Sequence, residues 1–192
     1  MNNVTRLAFL FLAAVPVTLL VLGGKSHKPE SQSNSQVRRG QYLVQFGGCS
    51  DCHTPKKMGA RGPEDDAARF LAGHPEDTKL PSPPSLPAGP WFATTAGLTA
   101  WSGPWGICYS SNLTPDANTG LGIWTEEMFI KAMRTGKHYG ASRDILPPMP
   151  WQSLSRLTDE DLKAIFAFLR SIPPVRNHVP DPLPPGGRHA FE

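Results

Sequence analysis

Cys49-Ser50-Asp51-Cys52-His53 is the stretch from which the rest of the chain is read. Two thiols stand three positions apart, and an imidazole follows the second directly. On one helical turn, residues three apart share a face, so both sulfurs reach toward the same side of a flat ligand. The spacing is the attachment signature of a c-type haem. Cys49 and Cys52 would form thioethers to the porphyrin, with His53 beneath the iron as proximal ligand. Two other chemistries use such a pair. A thioredoxin-like disulfide wants a βαβ surround that these flanks do not supply, and structural zinc wants four ligands, usually two spaced pairs. The third cysteine, Cys108, has neither a paired thiol nor an adjacent histidine, which favours haem. Alone, Cys108 reads as a small hydrophobe; a redox role would need an exposed, electropositive setting.

The iron's sixth position asks for a second axial donor. In Ile145–Trp151 (ILPPMPW) Met149 lies between prolines, where no regular helix can form. Its thioether is a soft ligand, and Met/His ligation raises the reduction potential of haem iron. Pro147, Pro148 and Pro150 would hold the sulfur in place. Met128 and Met133 fall within a predicted helix and read as core, while Met58 follows His53 too closely to cross a haem. His74 and His138 are the rivals that bis-histidine ligation would use. For the free N–H of His53, the acceptor expected is a proline carbonyl, with Pro63 the candidate and Pro55 its rival; outer contacts of this kind fix ligand orientation.

Around these residues the pattern is helical. Val37–Gly48 (VRRGQYLVQFGG) predicts a first helix running into the motif, with Gly40 allowing another helix to approach closely. Pro63–Gly73 predicts a short helix with acids at its start. Thr125 is a good N-cap for a helix over Glu126–Thr135, ended by Gly136, and Trp124 with Phe129 suits a hydrophobic staple. Thr158 caps a last helix through Ile172, whose Leu162, Ile165, Phe166 and Leu169 repeat at helical spacing. Asn112 and Trp124 have two readings: donors to haem propionates, or a turn-capping amide and a core indole. Between Pro75 and Gly106 runs a long irregular stretch rich in Pro and Trp. Trp91–Thr95 and Leu98–Ser102 predict a hairpin within it over Ala96-Gly97, which would pack on the domain and shield a haem edge or dock a partner.

The ends differ in character. Leu7–Gly24 is almost wholly apolar behind Arg6. It reads as a signal peptide or a membrane anchor, and the missing Ala-x-Ala box favours a retained anchor. Residues 25–36 are polar and Ser-rich, a linker. The folded domain is placed at 37–175, its insertion at about 75–106, and residues 176–192 form a Pro-rich tail that wraps the surface or frays. The chain of 192 residues carries 19 Lys and Arg against 16 Asp and Glu. Three of those bases (Arg6, Lys25, Lys28) and one acid (Glu30) precede position 37, so the folded part is nearly balanced. Nucleic-acid binding needs a basic patch on the domain itself and has no support here.

The segments GQYLVQFGGCSDCHTP, NLTP, GIWTEEMFIKAMRTGKH, LPPMPW and LTDEDLKAIFAFLRS resemble bacterial class I cytochromes c, most nearly the cytochrome domains of membrane-bound dehydrogenase electron-transfer subunits. The resemblance covers about residues 36–175. It implies an all-α cytochrome c fold around one covalently bound haem c, with first and last helices crossing near it. It implies Cys49 and Cys52 as covalent attachment points and His53 and Met149 as axial ligands. It also implies a one-electron carrier and not an enzyme, at the periplasmic side of the cytoplasmic membrane. A dehydrogenase would be its donor and an oxidase or another cytochrome its acceptor. Dehydrogenase subunits of this kind often carry several haem motifs, and this sequence has one; the insertion is also longer than a minimal cytochrome c would have. Two rival functions stand beside the free carrier: a dedicated subunit of one complex, and a haem enzyme or gas-binding protein with a labile sixth ligand.

Overall fold

Helix α1, Gln32–Phe46, and helix α5, Asp159–Ser171, cross where α1 has no side chain. In the computed structural model, which describes residues 32–86 and 89–186, a Cβ built on Gly40 would lie 1.8 Å from the Ala164 carbonyl oxygen. Glycine thus sets the closest approach of the two helices. Leu162, Ile165, Phe166 and Leu169 of α5 are buried and join Val44 of α1 in one apolar core. The α5 start is as expected: Thr158 accepts from the Asp161 N–H at 3.1 Å. Arg39 of α1 also pairs with Asp161 at 2.9 Å, an exposed contact that solvent screens. Arg170, near the α5 end, donates instead to the carbonyls of Leu121 and Gly122, tying the turn before α3 to this helix.

Helix α2 is the single turn Cys49–His53, and α3 is Glu126–Thr135. Thr125 caps α3 by accepting from Met128 N–H at 3.2 Å. Gly136 ends it at φ 67° in the left-handed region, where glycine carries no Cβ penalty. Phe129 and Met133 face the core as expected. Met128 does not: it sits in the first turn of α3 and is 39% exposed. The short α4, Trp151–Leu154, follows the Met149 segment.

The structure corrects four sequence expectations. The fold is not all-α: two small antiparallel sheets accompany the helices. Strands β1 (Lys56–Gly59) and β2 (Gly62–Asp65) form one; β3 (Ala93–Thr94), β4 (Ala100–Gly103) and β5 (Gly106–Tyr109) form the other. The hairpin expected around Ala96-Gly97 is the β3–β4 pair, shorter than predicted, with Thr94 opposite Trp101. Its third strand lacks an alternating pattern because Gly106, Ile107 and Cys108 are all buried; both faces are covered, so periodicity gives no signal. The helix expected over Pro63–Gly73 is a strand followed by one 3-10 turn, Ala67–Arg69, capped by Asp66. Pro63 there pairs with Met58 in the β1–β2 ladder. Finally, α1 begins five residues inside the stretch read as linker. Gln32–Gln36 has no glycine or proline to stop a helix from extending backward once it is nucleated.

The tail is part of the fold as far as it is described. Asn177 is buried; its amide donates to the carbonyls of Ala72 and His74, and its oxygen accepts from Glu76 N–H. Leu183 then exchanges both backbone hydrogen bonds with Ile107, extending the three-stranded sheet. The apolar segment at 7–24 lies outside the described residues. Among those described, no helix is long and apolar enough to cross a membrane.

Candidate haem site

Gly47 and Gly48 separate α1 from α2. Gly48 adopts φ 64° in the left-handed region, where an L side chain would be strained. The break lets the chain turn and begin a new helical turn at Cys49. Both thiols on that turn are free and half-buried. Burial is the main cause that raises both above the usual cysteine value. They therefore stand as protonated thiols at neutral pH.

His53, 9% exposed, closes the turn. Its Nδ1 lies 2.8 Å from the backbone carbonyl oxygen of Ser111, and Nε2 has no hydrogen-bond partner among the described residues. With Nδ1 as the donor, the tautomer is set and Nε2 keeps its lone pair. Burial pushes the imidazole below its ordinary pKa by more than the Ser111 carbonyl restores. A neutral ring of fixed orientation is what a metal requires of histidine.

The acceptor is thus neither proline expected from the sequence. Pro55 gives its carbonyl to Asp66 N–H at 2.8 Å, and Pro63 is in β2. Ser111 is brought to His53 by long-range contacts. Ser110 N–H donates to Thr99 O, His74 N–H to Ser110 O, Leu113 N–H to Leu71 O, and Gly73 N–H to the His53 carbonyl itself. Thr54, fully buried, accepts from Leu71 N–H at 3.0 Å and holds the same layer together. The only local signal was the turn after Ser111. Asn112 Oδ1 accepts from Thr114 N–H at 2.9 Å, an Asx turn.

Asn112 caps its turn. Its nitrogen donates to Thr119 Oγ1 and the Val175 carbonyl. Trp124 is a core indole with its ring 4.7 Å from Tyr139 and 5.2 Å from His138. His74 is buried, with Nδ1 2.9 Å from Thr99 Oγ1 and its ring against Tyr109. The other rival, His138, lies against two aromatic rings. Met58 is 80% exposed on β1.

Met149 is half-buried in a loop pinned at three points. Ile145 N–H donates to Gly136 O at 2.7 Å where the loop enters, and Trp151 N–H donates to Met149 O at 2.9 Å where it leaves. Between them the Cys108 thiol of β5 donates to the Pro147 carbonyl at 2.9 Å. A cleft of about 530 Å³ borders the loop, lined by Gly136, Ile145, Met149 and Trp151 among others. The zinc alternative finds no support in the arrangement: among the described residues, no three His, Cys, Asp or Glu side chains converge to hold a metal ion. The donor set fits a haem instead. Two free thiols on one turn suit its two vinyl groups, and a neutral imidazole with Nε2 free suits its iron.

Fold and site together define a class, the helical proteins that carry a covalently bound haem c to move electrons. A profile of the cytochrome c family matches residues 37–173, and the chain belongs to that family. It is 30% identical over 164 residues to the fructose dehydrogenase cytochrome subunit of Gluconobacter japonicus, covering 82% of this chain and 27% of that one. It is 32% identical over 163 residues to the gluconate 2-dehydrogenase cytochrome c subunit of Pantoea cypripedii, covering 83% and 29%. A diheme cytochrome c-type protein of Cereibacter sphaeroides is 29% identical over 158 residues, covering 81% and 42%. The chain thus spans less than a third of the length of the two dehydrogenase subunits. All three relatives are named as cytochromes, an electron-transfer class and not a catalytic one.

Proposed function

We propose that this chain carries single electrons on one haem, held by Cys49 and Cys52 through thioethers and ligated by His53 Nε2 and Met149 Sδ. The observation that carries the reading is His53. It is buried, its Nδ1 is committed to the Ser111 carbonyl, and it shares a helical turn with two free thiols. The haem, when bound, supplies a reversible one-electron couple. The protein's own residues decide how it is used. Were His53 and Met149 both to ligate the iron of a bound haem, no open position would be left for a substrate, which would favour electron transfer over oxygen chemistry. Both residues come from hydrogen-bonded segments, so a bound haem would change oxidation state with little rearrangement of the protein. Buried Thr54 and Leu71, with half-buried Ser111, would limit solvent near the proximal side, and such burial tunes potential.

The donor is a dehydrogenase at the outer face of the cytoplasmic membrane, and the electrons pass toward a terminal oxidase. Support comes from the relatives' names and from the apolar segment at 7–24, which exports the domain as a leader or tethers it as an anchor. The same relatives favour a second reading, a dedicated cytochrome subunit of one dehydrogenase complex. Co-purification of a dehydrogenase in detergent extracts separates it from a free carrier.

Intact mass and spectra of the protein matured in a c-type haem host test the central claim. One haem should add to the mass, resist acid–acetone extraction, and be lost in a C49S/C52S double variant. Reduced protein should not bind carbon monoxide while Met149 is ligated. A colourless product, an extractable pigment, or ready carbon monoxide binding each refutes the assignment.

A further inference from the structure

The buried thiol of Cys108 has no part in haem attachment, yet it reaches across to the loop that carries Met149. We propose that Cys108 is a positioning residue, a tether from the three-stranded sheet that holds the Met149 sulfur on the haem iron. The inference rests on Met149 being the axial ligand and goes beyond it by saying what keeps it there.

Three observations carry it. The Cys108 Sγ–H donates to the Pro147 carbonyl, two residues before Met149, at 2.9 Å. The donor sits on β5, which is paired on both sides: Cys108 faces Trp101 across the β4–β5 ladder, and Ile107 beside it pairs with Leu183 of the tail. On the loop side, support is sparse. Among the described residues, its remaining backbone hydrogen bonds are at its two ends, Ile145 and Trp151. Among the described residues, the hydrogen bond to the loop's middle therefore comes from a strand far away in sequence. Burial raises the Cys108 pKa, so the group stays a thiol and keeps its proton to donate.

Axial ligation by a loop residue is an equilibrium between sulfur on iron and loop displaced. A hydrogen bond present only in the first state shifts that equilibrium by its net worth, and an external ligand reports the shift. Removing one such bond changes an equilibrium by about 2- to 12-fold, and a weak S–H donor belongs toward the lower end.

The test compares ferric holoprotein of wild type, C108A, C108V and C108S, with M149A as reference. Two quantities are read: the long-wavelength sulfur-to-iron charge-transfer band, and the affinity for imidazole, which competes for the sulfur's position. C108A and C108V should bind imidazole about two- to tenfold tighter and show a weaker band. C108S retains a donor and should recover most of the difference. C108V keeps the buried volume if C108A does not mature. The tether is overturned if C108A and C108V bind imidazole as wild type does, even when their unfolding stability falls; that result marks Cys108 as packing alone. It is also overturned if C108S behaves like C108A. A band that survives in M149A instead sinks the ligand assignment, and the tether with it, so the two failures are told apart.

Discussion

Replacing Gly40 by alanine probes the contact on which the helical frame depends. The added Cβ would meet Ala164 O at 1.8 Å, Ala164 C at 2.5 Å and Phe168 Cβ at 2.8 Å. The first two are backbone atoms of α5 and cannot rotate away. Restoring an ordinary contact, 3.4 Å in place of 1.8 Å, means opening the α1–α5 crossing by about 1.6 Å. A radial gap of roughly 0.5–1 Å already forfeits a quarter to a half of the dispersion attraction across an interface. Overpacking of a tight core costs about 1–3 kcal/mol and occasionally more; with backbone as the obstacle, the upper figure applies. Alanine returns about 1 kcal/mol through its better helix propensity. The net loss expected is about 2 kcal/mol, a sizeable part of the roughly 5–15 kcal/mol that holds a domain folded. Urea unfolding of the ferric holoprotein, followed by far-UV circular dichroism, measures it. With a slope of about 2 kcal/mol per molar urea, the midpoint should fall by about 1 M. Gly97→Ala is the control: its Cβ would meet nothing closer than 3.9 Å, so a change within about 0.5 kcal/mol is expected. A Gly40→Ala midpoint equal to wild type, or a Gly97→Ala loss of the same size, refutes the reasoning.

Thr54→Val keeps shape but removes the acceptor of the buried Leu71 N–H. Leaving that donor unsatisfied should cost about 1–3 kcal/mol in urea unfolding, and an unchanged midpoint would show that Leu71 finds another partner. His138 supplies a pH test. Burial, then Arg143, lowers its folded pKa below the unfolded value, with Asp181 opposing. The unfolded chain therefore binds the extra proton first, and stability falls as pH drops below about 6.5 until the folded pKa is passed. His138→Phe keeps a ring against Trp124 without the proton, so its loss of stability between about pH 7.5 and pH 5 should be smaller than that of wild type. An equal loss in the two proteins would remove His138 from the account.

The features that suggest this chemistry are local in the sequence. The spacing of Cys49, Cys52 and His53 is a property of one helical turn. The caps Thr125 and Thr158 act on N–H groups three residues away, and the proline-bound Met149 cannot lie in a helix. Gly40 announced a close crossing because only glycine leaves that space. What the sequence could not show was set by partners distant along the chain. The carbonyl that orients His53 belongs to Ser111, and a main-chain acceptor carries no side-chain identity to read. Strand β5 escaped notice because it is buried on both faces, which erases alternation. Cys108 looked like an isolated thiol until the fold laid β5 beside Pro147. The tail looked loose until Asn177 and Leu183 met Ala72, His74 and Ile107. Short-range geometry determined which groups can hold a haem; the long-range packing of loop against sheet decided what holds those groups still.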